Sequence, residues 1–161
     1  MADHAPVQLT VFDCPPTQAA AVLDLIDQRD LDPEYGTGHQ RHDQLSLHLA
    51  YRDTEGPCGS ADEIATQLQL TAPDASWQVW EDPKYEWLGS LCRFTPGLGL
   101  WTAPCDADGC PVFTDQQVLT LYDETNNRNE LEQRTGRRHN LALRTLASIT
   151  GYAVTASDKD Q

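Results

Sequence analysis

Positive charge is what this chain has least of. Eleven Lys and Arg stand against 25 Asp and Glu in 161 residues, a net charge of −14, and only Lys84 and Lys159 are lysines. A chain so short of cations neutralises few phosphates, which counts against nucleic acid as a partner. Long apolar runs are lacking too: none approaches the ~20 residues of a membrane span. The opening "MADHAPVQLT" has no basic segment followed by an apolar one, so no secretory leader is expected and the expected location is the cytoplasm. There is no P-loop, dinucleotide fingerprint, His-Glu-x-x-His or nucleophile elbow, which weakens the familiar enzyme classes. Cysteine is present in odd number, at Cys14, Cys58, Cys92, Cys105 and Cys110; without a leader this argues for reduced thiols over a disulfide framework.

What is present is a globular composition, 39 % hydrophobic and 22 % charged, at a length suited to one domain. The charge is lopsided. Residues 1–90 hold four basic side chains (Arg29, Arg41, Arg52, Lys84) against sixteen acids; residues 91–161 hold seven against nine. A basic protein surface would be steered toward the first part, while solubility alone would explain the same excess. The densest acidic run is "DLIDQRDLDPE", with Asp24, Asp27, Asp30, Asp32 and Glu34 as candidate partner-binding residues. The simpler reading makes that run the solvent side of a helix and its loop. The Asp, Ala and Arg bias suggests a GC-rich bacterial genome, or a phage or plasmid living in one.

Periodicity places the elements. Val7, Leu9 and Val11 alternate with Gln8, Thr10 and Phe12, as in a strand. Residues 17–29 have helical spacing, with Ala19, Val22, Leu23 and Ile26 on one face. "LSLHLAY", residues 45–51, reads as a single strand with Leu45, Leu47, Leu49 and Tyr51 on one side, and "RDTEGPCG" as a break. Ser60 and Glu63 form a capping-box pattern opening a second helix. Strands follow at "WQVWE", residues 88–95, "LGLWTAP" and "PVFT". Thr114 and Gln117 form another capping-box pattern, with Val118, Leu121 and Tyr122 on one helix face. A turn at 130–135 ending in a left-handed Gly136 precedes a last helix with Leu143, Leu146 and Ile149 inward.

The expected fold class is α+β: a ferredoxin-like antiparallel sheet with helices on one face, extended by a β-hairpin and C-terminal helices. The expected organisation is one domain over 1–161, with the ferredoxin-like βαβαββ part at 1–95, the hairpin and helical extension at 96–151, and a frayed tail at 152–161. "RFTPGLGLW", followed by a Gly-bearing turn, a short strand and a capped helix, resembles a segment of a small actinobacterial family of unknown function whose members carry an aromatic-Thr-Pro-x-Leu-Gly strand turn. The resemblance covers roughly residues 93–121. It implies a related α+β fold and transfers no catalytic residues.

The strongest candidate for chemistry is "APCDADGCP", residues 103–111. Cys105 and Cys110 could share a structural zinc with His39 and His42, or bridge to each other, and Asp106 and Asp108 suggest calcium. A twelfth-position Glu is missing, because Gln117 stands there. The bland alternative is a polar turn with Gly109 at positive φ. His48 could act as a general base or simply pack near Thr10 or Phe12. Phe12, Trp80 and Trp101 share the other sheet face, which could stack bases, pack under the C-terminal helices or meet a protein. Arg128, Arg134, Arg137, Arg138, His139 and Arg144 form a basic segment able to hold a phosphate, pair within the chain or contact a second copy. The leading expectation is a non-catalytic, acidic protein-binding accessory or regulatory factor, of phage- or plasmid-type inhibitor character, with a basic protein surface as partner and no cofactor; a homodimer stays open. The alternative is a metal- or ligand-binding domain, enzymatic or not, built on the Cys105/Cys110 hairpin.

Overall fold

In the computed structural model, residues 3–33 and 43–157 are described. The two-faced strand read from Val7, Leu9 and Val11 becomes β1 (His4–Asp13), the centre of the fold. Pro16, with its preset φ, starts α1 (Pro16–Gln28). Two short strands follow, β2 (Asp32–Pro33) and β3 (Gln44–Ser46), then β4 (Ala50–Pro57), α2 (Ser60–Thr71), β5 (Ser76–Glu81), β6 (Gly89–Thr95) and β7 (Gly99–Cys105). The C-terminal part comprises α3 (Asp115–Glu124), α4 (Arg128–Arg134), α5 (Arg137–Ile149) and β8 (Ala153–Thr155). The main sheet runs β2-β4-β1-β5-β6-β7, and every neighbouring pair is antiparallel. It is an α+β architecture, with β4 and β5 both returning beside β1 and the β6–β7 hairpin extending one side.

Strand register sorts the side chains into two faces. Leu9 lies opposite Val79 and Val11 opposite Trp77, and these bury against Ala19, Val22, Ile26, Ile64 and Leu68 of α1 and α2. Trp77 stacks on Phe94 with centroids 5.5 Å apart. On the other face Gln78, Arg93 and Trp101 lie side by side. There Arg93 donates through Nε to Gln78 Oε1 (2.9 Å) and through Nη1 to the Gly136 carbonyl (3.0 Å), and Trp101 Nε1 donates to Arg134 O (3.0 Å). Those carbonyls end α4 and open α5, so the sheet holds the α4–α5 junction by capping it.

Several local expectations change. "LSLHLAY" is not one strand: His48 adopts φ 65°, and the segment divides between two sheets. Leu45 pairs with Val154 of β8, whereas Tyr51 belongs to β4, which continues through the "RDTEGP" expected to be a break. Ser60 does not cap α2. Gly59 occupies the N-cap at φ 93°, and the buried Glu81 carboxylate on β5 accepts N–H bonds from Gly59 (3.1 Å) and Ala61 (3.2 Å). A carboxylate facing the positive end of a helix satisfies donors that the Ser hydroxyl, itself donating to Pro57 O, leaves open. "PVFT" makes only a bridge, Cys105 to Pro111. The Thr114–Gln117 capping box does form, and Gly136 takes the left-handed φ of 79°. Val118, Tyr122 and Ile149 face solvent, whereas Leu143 is buried. The second sheet face is already occupied by α5 and by the hairpin tip, so α3 finds no sheet to cover.

Candidate functional site

Helices α1 and α2 lie side by side on one sheet face, tied by Arg29–Glu63 (2.7 Å), by Gln67 Nε2 to Gln28 Oε1 (3.3 Å) and by a reciprocal Gln18–Asp74 pair. Their apolar stripes are fully used in the core. The outer surface of this layer, residues 16–33 and 59–75, carries seven carboxylates and one cation, Arg29, which Glu63 already engages. Asp24, Asp27, Asp30 and Asp32 are all exposed, and none makes an ion pair among the described residues. Asp30 sits at φ 54°, a conformation that Asp tolerates better than most residues, and turns the chain from α1 to β2. Glu34 lies outside the described residues. The outcome is a platform with a large excess of negative charge.

The thiol hairpin is organised as a turn. Asp106 Oδ1 accepts the N–H groups of Asp108 and Cys110, both at 2.9 Å, and Gly109 takes φ 73°. That carboxylate is therefore engaged by its own backbone. The tip folds over the second sheet face: a Cβ on Gly109 would fall 2.9 Å from Trp80 Cε2. Cys105 is buried, its Sγ 3.6 Å from the Glu81 carbonyl, whereas Cys110 is exposed. Burial, reinforced by Asp106, pushes the Cys105 thiol up to about 12. All five cysteines are free, and among the described residues no group of three or more His, Cys, Asp or Glu converges as a metal site. His39 and His42 lie outside the described residues. An alkylating reagent applied to native protein is expected to add to Cys58 and Cys110 and to spare Cys14, Cys92 and Cys105. Intact mass should then show two adducts, rising to five after denaturation; prompt native labelling of Cys105 would contradict this burial.

The other candidates are engaged within the chain. His48 Nε2 lies 2.7 Å from Thr150 Oγ1, and the same hydroxyl is within reach of the carbonyls of Phe12 (3.0 Å) and Leu146 (2.7 Å). With two carbonyls competing for the hydroxyl proton, the imidazole Nε2–H is the donor, and the trio ties the end of α5 to β1. Trp101 lies under the Arg93 guanidinium, 5.2 Å from the ring centroid. In the basic segment, Arg128 and Arg137 contact Glu132, and Arg134 contacts Glu124. His139 is buried against Gly99 O (3.0 Å), and desolvation holds its pKa below the usual value.

One surface escapes sequence reasoning. "DPKYEW", between β5 and β6, is a tight hairpin turn in which Lys84 and Trp87 exchange both backbone hydrogen bonds at 3.0 Å. Tyr85 occupies a φ of 54°, where such turns favour glycine. Tyr85 and Trp87 are 87 % and 70 % exposed, and Leu88 beside them is also exposed. Next to this turn is a groove of about 640 Å³ lined by Asp62, Glu86, Leu88, Ser90, Thr102 and Pro104. It has carboxylates on two sides and no cation in its lining, and Asp62, in the first turn of α2, joins it to the acidic platform. The available signal was Tyr85-Glu86 where a two-residue turn calls for Gly or Asn.

No helix among the described residues is long and apolar enough to cross a membrane. Comparison with curated proteins and with solved structures found no match. A family model described as "Protein of unknown function (DUF3145)" matches residues 35–146, and the chain belongs to that family.

Proposed function

We propose that this chain is a non-catalytic accessory factor that binds a basic protein surface through the α1–α2 platform, anchored at its border by the Tyr85–Leu88 turn and the adjoining groove. The observation carrying this reading is the charge balance of the platform: seven carboxylates face one cation that is already paired. Unpaired surface charge of one sign raises encounter rates with the opposite sign, and exposed Trp and Tyr beside it supply the apolar contact that charge alone lacks. The same field opposes nucleic acid. A phage- or plasmid-type inhibitor, acting in the cytoplasm of a bacterium with a GC-rich genome, is the setting this proposal includes; the composition supports it.

The test is a side-by-side capture from extract of the source cell. Wild type is expected to retain a basic protein that a Trp87→Ala variant retains at least about tenfold less well, as for an interface centre. Because Trp87 is exposed, the variant should melt with wild type. Recovery of no protein, or equal recovery on a platform-neutralised variant, would sink the proposal.

A further inference from the structure

Strand β7 stands at one end of the main sheet, beside β6 alone. Which of its backbone groups face outward follows from the bridge at its C-terminal end. Val112 N donates to Pro104 O (2.9 Å) and Asp106 N to Cys110 O (3.0 Å), so Pro104 and Asp106 point away from β6. By the alternation of an antiparallel ladder, Trp101, Ala103 and Cys105 then bond to β6, and Leu100 and Thr102 turn their N–H and C=O groups to the free edge. Pro104 explains why the returning chain leaves that edge. It offers no N–H to Val112 O, so the ladder ends at a single bridge. The next donor along, Thr114 N, bonds instead to Gln117 Oε1 (2.8 Å) in the cap of α3. Among the described residues nothing pairs with the outward groups of Leu100 and Thr102, and both residues are exposed. Unpaired edge groups of this kind are a template for a further strand. The groove beside Leu88 opens onto the same strand, lined by Thr102 and Pro104 with Asp62 and Glu86. Neither carboxylate makes an ion pair among the described residues, and Lys84, in the same turn as Glu86, gives its ammonium to His4 O.

We infer that β7 accepts an extended cationic segment of a partner protein as an added strand of the main sheet. This rests on the reading above that the partner is basic, and it states how that partner is held. The backbone of the segment bonds to the N–H and C=O groups of Leu100 and Thr102, a contact that any sequence without proline can make. Charge selects the occupant. Alternate side chains of an added strand project on the face that carries Leu100, Thr102 and Pro104, which is the face of the groove. Lys or Arg at every second position there meets Asp62 and Glu86, whereas Asp or Glu at those positions meets like charge. A second copy pairing edge to edge would bring its own Asp62 and Glu86 beside the first pair, so the same charge disfavours it.

Residue-resolved amide exchange of the full chain tests this with two peptides of about eight residues, within the usual length of a strand, one alternating lysine with threonine and one alternating glutamate with threonine. In the chain alone the Leu100 and Thr102 amides are expected to exchange fast and those of Trp101 and Ala103 slowly. The lysine peptide should bind saturably, more weakly as salt rises, and slow exchange at Leu100 and Thr102 at least about tenfold; the glutamate peptide should leave both unchanged. Thr102→Pro removes an N–H that no ladder bond uses, so the variant should melt with wild type and bind the lysine peptide at least about tenfold more weakly. If the variant melts lower, the exchange pattern of wild type decides by itself. A lysine peptide that fails to bind, or binds without protecting these two amides, would overturn the inference. So would equal binding by Thr102→Pro, or protection that grows with protein concentration without peptide, which would give the edge to a second copy. Capture from extract separates this from the platform reading: a basic protein retained equally by wild type and Thr102→Pro keeps the platform and removes the added strand.

Discussion

Gly136→Ala is expected to destabilise the protein by about 2–5 kcal/mol, the sum of a left-handed backbone penalty and an overpacking penalty. Gly136 holds φ 79°, and a Cβ there would fall 2.5 Å from Trp101 Cη2 and Cζ3. Neither neighbour can yield cheaply. The indole is held by its bond to Arg134 O, and Arg93 grips the Gly136 carbonyl from below. Urea denaturation should show the midpoint falling with the slope nearly unchanged. Gly151→Ala is the internal comparison: its Cβ would meet nothing within 4 Å, and its effect should stay within about 0.5 kcal/mol. Equal stabilities of the two variants would show that the α4–α5 junction is not wedged on Trp101.

Neutralising the platform is the second large effect. The combined Asp24→Asn, Asp27→Asn, Asp30→Asn and Asp32→Asn variant is expected to slow association with the recovered basic partner by roughly ten- to a hundredfold at low ionic strength, chiefly through the encounter rate. The difference should shrink as salt rises, because screening removes the steering from wild type. The fold should not suffer. These carboxylates make no ion pair among the described residues, so their removal relieves self-repulsion and leaves the melting temperature level or slightly higher. Stopped-flow association across a salt series separates the outcomes. Rates equal to wild type at every salt would remove the platform from the interface.

The site was legible where a residue's role depends on its sequence neighbours. Asp24 and Asp27 read as the outer side of a helix because Val22, Leu23 and Ile26 mark the inner side, and that is where they lie; Asp30 and Asp32 follow it, exposed in the turn and in β2. Gly109 read as the positive-φ residue of a hairpin tip because Cys-Asp-Ala-Asp-Gly is a local turn sequence. The Tyr85–Trp87 turn was illegible for the opposite reason. Its φ of 54° contradicts local preference, and it closes because β5 and β6 are already paired on either side. The groove beside it gathers side chains from α2, β6 and β7, which no local spacing brings together.

By itself the sequence determined the net charge and its bias toward the first half, the alternation of β1, the amphipathic stripes of α1 and α2, the Thr114 cap and the left-handed Gly136. Each of these is settled by composition or by neighbours within about four residues, the range of helix and strand periodicity. Tertiary structure decided the rest. It chose Glu81 over Ser60 as the cap of α2, because a buried carboxylate facing a helix N-terminus satisfies more donors than a hydroxyl. It broke residues 45–51 between two sheets, because Leu45 and Tyr51 have different partners. It also left Val118, Leu119 and Tyr122 of α3 exposed, because α5 and the hairpin tip occupy the second sheet face.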